Sequence, residues 1–234
     1  MKVSIHSLRW KNNDPRIVDS QKKVFDHFGI PLQVTEENIH HMVWMDSIFN
    51  NVDADIYVFF DGDCVPMSYD ALSESIKFCE SGYLVGNAQV TNCINAKHDL
   101  FCGASFLAVS RDYYNDIGRP SAMQNSETRC DGAQQITRNA VQHEKRIKMW
   151  FPTTFQSVPA GGIWRLSSYG YYGVGTIYDN KTYHLFQSRF SKNVDLFVDT
   201  CKFIINGTPE LINRKYDCRS EFRGVLPIED EYGD

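Results

Sequence analysis

Apolar and polar positions alternate along the first sixty residues in two distinct rhythms. Residues 3–8 form a short apolar-rich run that predicts a strand. Residues 17–28 carry Val18, Val24, Phe25 and Phe28 at spacings that gather on one face of a helix. Gly29 supplies a helix stop, 30–34 predicts a second strand, and 39–49 a second helix. The run Ile56, Tyr57, Val58, Phe59, Phe60 has no polar interruption, is rich in β-branched and aromatic residues, and is too short for a typical helix. That is the pattern of a strand covered on both faces. The resulting β-α-β-α-β series builds a parallel sheet through right-handed crossovers.

Further along, 69–79 predicts a helix ended by Ser81 and Gly82, and 83–90 another strand. A less regular stretch, 91–99, leads into a strand over 101–109 that carries small residues at one end. A short helix over 113–117 closes at Gly118, and 119–129 is a polar loop. Asp131 stands near the start of a helix that runs through Gln134, Ile136, Ala140 and Val141 to about Glu144. A strand follows at 148–151, and 158–176 is rich in Gly, Tyr and Ser. With no internal repeat and no long linker, the chain reads as one α/β domain over 1–234, whose mixed, mostly parallel central sheet is flanked by helices.

At 234 residues the chain is long enough for one sizeable core. Its 42% hydrophobic and 23% charged residues are those of an ordinary globule. A net charge of −5 argues against broad nucleic-acid binding through a basic surface. The basic stretch at 138–148 reads as a solvated helix face. Seven scattered cysteines contain no Cys-x-x-Cys and point to reduced thiols in a cytoplasmic protein. The start, Met1 to His6, lacks the apolar segment of a signal peptide, and no stretch reaches membrane-span length. In that compartment the glycosylation sequons at Asn180 and Asn206 carry no meaning.

The chemistry concentrates at Asp61-Gly62-Asp63, directly after the buried run. Alternation along a strand would point both carboxylates to one side, toward one cation, while Gly62 leaves the backbone open to a ligand. Ligands of open α/β sheets bind beyond the carboxyl ends of such strands. The competing explanation is turn chemistry, which Asp and Gly also favour.

With the third strand ending in this pair, the chain resembles the nucleotide-sugar-dependent glycosyltransferases of the GT-A fold, a Rossmann-like architecture. The likeness runs over roughly 2–190 and rests on the order of several features. After the Asp-x-Asp pair come the small residues Cys102, Gly103, Ala104 and Ser105, then the acidic Asp131 opening a helix, then a late His184 within 181–189. The resemblance implies a nucleotide-sugar-binding half over 1–100, an acceptor and catalytic half over 101–190, and a C-terminal extension over 191–234.

It also implies roles. Asp63 would bind Mn²⁺ or Mg²⁺ directly, Asp61 would contact the donor ribose or reach the metal through water, and His184 is a candidate third ligand or a packing histidine. Hard divalent cations suit carboxylates, and a His nitrogen tilts the choice toward manganese. Lys181 and Arg189 would share charge on the departing diphosphate. Ser7, Arg9, Trp10 and Glu36 lie where this fold holds the nucleoside, Trp10 stacking on a base and Glu36 accepting from a base N–H. Gly62 completes the donor set. Gly103, Ala104 and Trp164 are the candidates for acceptor contact, and the glycines and aromatics of 161–173 suit a loop that closes over a sugar.

Asp131 is the candidate base that deprotonates the acceptor hydroxyl in an inverting transfer. Cys130-Asp131 departs from the frequent Glu-Asp pair of such enzymes. If Asp131 serves only as a helix cap, a retaining mechanism returns. The expected activity is thus metal-dependent transfer from a UDP-sugar, or alternatively a GDP-sugar, to a hydroxyl-bearing acceptor such as a glycan, a lipid-linked sugar or a small molecule. A non-catalytic carbohydrate- or nucleotide-binding module of the same fold is the other outcome. Sugar nucleotidylyltransferases, which share the sheet, open with a Gly-rich loop after the first strand, and this chain has His6-Ser7-Leu8-Arg9-Trp10-Lys11 there.

Overall fold

The structure, a computed structural model, describes residues 1–91, 100–123, 130–156 and 162–207. The expectations for 92–99, 124–129 and 157–161, for Cys93, Cys218 and Gly161, and for the tail from Thr208 onward lie outside the described residues.

The chain begins with β1 (Val3–Arg9), α1 (Pro15–His27), β2 (Gln33–Glu36), α2 (His41–Asn51) and β3 (Ile56–Phe60). Asp14 caps α1 by accepting from the Arg16 amide, Pro15 opens the helix, and Gly29 follows it at φ 65°. The second strand starts three residues later than the apolar pattern predicts. Pro31 has no N–H to give a ladder, so Ile30 and Leu32 pack into the core ahead of the strand.

Next come β4 (Cys64–Pro66), α3 (Tyr69–Glu80), β5 (Tyr83–Val90), β6 (Leu100–Ser110), α4 (Arg111–Asp116), α5 (Gln134–Gln142) and β7 (Arg146–Trp150). The main sheet has the order β2-β1-β3-β6-β5-β7. β1 runs parallel to β2 and β3, and β5 to β7. β6 alone runs against its neighbours β3 and β5. The central sheet is therefore mixed and mostly parallel, with helices on both faces.

The remaining strands are β8 (Pro152–Gln156), β9 (Ile163–Arg165), β10 (Tyr171–Gly173), β11 (Gly175–Tyr178) and β12 (Thr182–Leu185), followed by α6 (Ser191–Asn206). β9 and β10 pair as a ribbon, and a second sheet has the order β4-β12-β11-β8. The described part of the Gly- and Tyr-rich segment becomes the β9–β10 ribbon and the start of β11, and the second sheet is completed by β4, β8 and β12 from outside it. The second sheet's strands of three to five residues are too short for their alternation to show in the sequence.

All five residues of β3 are buried, as its uninterrupted apolar run requires. Ile56, Val58 and Phe60 join one core with Ile17, Val24 and Phe25 of α1 and Val194 and Phe197 of α6. Tyr57 and Phe59 join a second core with Trp44, Met45 and Phe49 of α2 and Ile136 and Ala140 of α5. Each such side chain stabilises the fold by about 2 kcal/mol through burial. Within the expected C-terminal extension, α6 is part of the first core, and Asp195 pairs with Arg16 of α1 at 2.7 Å. Among the described residues no helix is long and apolar enough to cross a membrane.

Candidate active site

The carboxyl end of β3 delivers Asp61 to the floor of a cleft of about 590 Å³. The strand itself stops at Phe60, so strand alternation is not what aligns the two aspartates. They lie in a tight turn, closed by the Cys64 amide donating to the Asp61 carbonyl at 3.0 Å. A Cβ on Gly62 would stand 3.1 Å from the Leu8 carbonyl, so the glycine lets this turn nest against the end of β1.

The third member comes from the second sheet. β12 pairs antiparallel with β4 so that His184 stands opposite Cys64, and the Leu185 amide donates to the Asp63 carbonyl at 3.0 Å. That register brings one ligand atom each from Asp61, Asp63 and His184 within 4.8 Å of one another. His184 Nε2 and Asp63 Oδ1 are 3.2 Å apart. Even so, Asp63 Oδ1 and His184 Nδ1 are buried without a hydrogen-bond partner. The edge of the His184 ring rests on Phe186, with ring centroids 4.1 Å apart. Two carboxylates and an imidazole, one carboxylate oxygen buried and unsatisfied, make a donor set that fits Mn²⁺.

Burial raises the pKa of Asp61, and the adjacent Asp63 carboxylate raises it further. His41, His184 and the Gly62 amide, which donates to Asp61 Oδ1 at 2.8 Å, pull it back. The metal-free fold therefore disfavours the ionised form of Asp61. Its folded pKa lies above the ordinary 3.8, so the folded chain binds more protons, and stability rises as pH falls through the raised pKa toward 3.8. Asp61→Asn keeps the acceptor for Gly62 and removes the charge. In chelator, this variant is expected to melt a few degrees above wild type at neutral pH, what about 1 kcal/mol is worth in a chain this size, with a smaller difference in acid. Thermal melts at two pH values check this, and a lowered melting temperature at neutral pH would contradict it.

Asp131 lines the same cleft and is 8% exposed. It does not cap the helix: α5 starts at Gln134, its N-cap position is Ala133 at φ 63°, and no side chain caps it. Asp131 Oδ1 instead accepts from the Gly132 amide at 2.7 Å, while Gln134 Oε1 accepts from the Asp131 amide at 2.8 Å. Ala104 and Ser105 also line the cleft, because β6 runs antiparallel to β3 and brings its early residues beside the turn that carries Asp61 and Asp63.

Trp10 and Arg189 meet at the cleft, with the guanidinium carbon 4.9 Å from the ring centroid. Trp10 Nε1 donates to the Ile39 carbonyl at 2.7 Å, which fixes the ring. Other residues named from the sequence stand outside the cleft lining. Arg9 pairs with Glu36 at 3.8 Å, as the β1–β2 register dictates, and Glu36 is otherwise in solvent. Lys181 sits at the far end of β12 and pairs with Glu74. Ser7 is fully buried and donates to Gln21 Oε1 at 3.3 Å. Gly103 gives its space to the Gln89 side chain, which lines the cleft in its stead. Trp164 packs on Tyr172 and Phe186, with centroids 5.6 Å away in both cases.

Sequence reasoning missed His40, His41, Gln89 and Phe186 in the lining, and Gln21 beneath it. His40 occupies the N-cap position of α2, its Nδ1 accepting from the Met42 amide at 3.3 Å, so the N-terminus of α2 opens on the cleft. Of these only the His40-His41 pair ahead of an apolar helix leaves a signal in the sequence.

No family model matches the chain, and no curated protein matches it in sequence. Solved structures are similar at the level of chain path. Protein A197 from STIV aligns at 15% identity and TM-score 0.42 over 80% of this chain and 95% of its own. The mannosyltransferase PcManGT from Pyrobaculum calidifontis, in complex with GDP-Man and Mn²⁺, aligns at 10% identity and TM-score 0.44. That alignment covers 63% of this chain and 54% of the mannosyltransferase, about half its length. The 4-diphosphocytidyl-2C-methyl-D-erythritolsynthase from Anaerococcus prevotii aligns at 9% identity and TM-score 0.41, over 64% of this chain and 88% of its own. The neighbours thus include both glycosyltransferases and nucleotidyltransferases. Likenesses this distant carry no argument about activity.

Proposed function

We propose that this chain is a divalent-metal-dependent glycosyltransferase that takes a sugar from a UDP-sugar or GDP-sugar and passes it to a hydroxyl. The observation that carries the reading is the convergence of Asp61, Asp63 and His184 at the carboxyl end of β3, with Asp63 Oδ1 buried and unsatisfied. A carboxylate in that state is costly unless a cation or donor completes it.

Asp63, Asp61 and His184 would hold the metal. When bound, Mn²⁺ supplies Lewis-acid stabilisation of charge on the departing diphosphate. The remaining work falls to the chain's own side chains. The N-terminus of α2 and the Arg189 guanidinium both favour anionic groups in the cleft, and Trp10 holds Arg189 in place. Asp131 takes the proton from the acceptor hydroxyl as the acceptor oxygen bonds to the anomeric carbon and the bond from that carbon to the diphosphate breaks. Attack opposite the leaving group inverts the anomeric centre. The five described cysteines are free and buried, which supports a reducing, cytoplasmic setting.

Isothermal titration with UDP and GDP, with and without Mn²⁺, tests the reading. One of the two nucleotides is expected to bind, and to do so only with the metal present. Metal-independent binding of both, or binding of neither, would overturn it.

A further inference from the structure

One fully buried polar side chain beneath the site has no role in the proposed chemistry. Gln21 lies on the inward face of α1, among Ile17, Val24 and Phe25, and is 0% exposed. Burying an amide among apolar neighbours is unfavourable unless its hydrogen bonds are met. Here Gln21 Nε2 donates to the Asp61 carbonyl at 2.7 Å and to the Cys64 carbonyl at 3.0 Å. Its Oε1 accepts from Ser7 Oγ at 3.3 Å. Carbonyl oxygens only accept, so the two backbone partners fix which end of the amide faces the turn.

Those carbonyls belong to the first and last residues of the turn that carries Asp61, Gly62 and Asp63. The rest of the turn is held from other directions. The Asp61 amide donates to the Ser105 carbonyl at 2.9 Å, and the Asp63 carbonyl accepts from the Leu185 amide at 3.0 Å. Gln21 alone among these partners reaches both ends of the turn with one rigid group. One buried amide outside the cleft lining thus ties together the two ends of the turn that carries both aspartates.

We infer that Gln21 is a positioning residue that sets the spacing of Asp61 and Asp63 for the cation. Ser7 acts one step further back, orienting the Gln21 amide. The inference rests on the proposed cation site. Gln21→Met keeps the length and volume of the side chain and removes both donors. A carbonyl held by a substituted partner shifts by fractions of an ångström, and losing such an outer partner typically weakens metal affinity by about 10- to 100-fold.

The test titrates Mn²⁺ alone into the full chain, reading free Mn²⁺ by electron paramagnetic resonance beside thermal melts. Wild type is expected to bind. Gln21→Met is expected to bind about 10- to 100-fold more weakly and to show an altered spectrum of the bound ion. Ile17→Val, on the same helix face, is expected to lower stability and leave the affinity and the spectrum unchanged. Wild-type affinity in Gln21→Met would overturn the role, and so would equal weakening in Gln21→Met and Ile17→Val. If Gln21→Met does not fold, Ser7→Ala takes its place. A several-fold loss of Mn²⁺ affinity then supports the role, and none overturns it. Failure of wild type to bind Mn²⁺ removes the cation site itself, a separate result seen before any variant is read.

Discussion

Asp63→Ala abolishes Mn²⁺-dependent nucleotide binding and leaves the fold intact. The side chain places Oδ1 3.2 Å from His184 Nε2, and that buried oxygen makes no hydrogen bond within the protein. Its loss leaves the cation one carboxylate and one imidazole, a poor site for a hard ion. Changes to residues one step removed from a metal already cost about 10- to 100-fold, so loss of a direct ligand is expected to exceed that. The turn survives, because its backbone hydrogen bonds, Cys64 amide to Asp61 carbonyl and Leu185 amide to Asp63 carbonyl, do not involve the Asp63 carboxylate. Removing the charge also relieves Asp61, whose pKa Asp63 helps to raise. The melting temperature in chelator is therefore expected to match or exceed that of wild type. Calorimetric titration of UDP and GDP with Mn²⁺, paired with thermal melts, reads both effects. Unchanged nucleotide affinity would take Asp63 out of the site.

Asp131→Asn lowers turnover by about 10²- to 10⁴-fold, the usual contribution of a general base, without altering Mn²⁺ or nucleotide affinity. Asn keeps an oxygen that accepts from the Gly132 amide, so the local turn is preserved. Helix stability is not at stake, because Asp131 lies two residues ahead of the N-cap position of α5. Slow hydrolysis of UDP- and GDP-sugars to the nucleotide, with water standing in for the acceptor, supplies the assay. Wild-type hydrolysis in Asp131→Asn would remove the base and return a retaining mechanism. Loss of nucleotide binding in the variant would make Asp131 a binding residue.

The inner strands of the main sheet were legible because they are long or rich in apolar residues, whereas its polar edge strands β2 and β7 have bounds shifted from their patterns. Ile56–Phe60 and Tyr83–Val90 have the bounds that their patterns predict. The second sheet was not legible, since β4, β11 and β12 have three or four residues each and gain their identity only by pairing. The same division runs through the site. Asp61 and Asp63 are neighbours in sequence and announce themselves. His184 was named from a resemblance, and the physical reason it arrives is the register of β12 on β4. Lys181 shares that strand's sequence neighbourhood, yet the strand carries it to the opposite end and to Glu74. Arg9 and Glu36 fall at matched positions on adjacent strands, where they form an ion pair at 3.8 Å outside the cleft lining. Gln21 lay hidden because a Gln within an amphipathic helix reads as surface, and only tertiary packing turns it inward.

The most direct measurement is anomalous diffraction from crystals of the protein grown with Mn²⁺ and UDP or GDP. The account predicts a manganese peak within coordination distance of Asp63 and His184, with the diphosphate beside it in the same cleft. A cleft that holds nucleotide without manganese between Asp63 and His184, or manganese bound elsewhere on the chain, would contradict it.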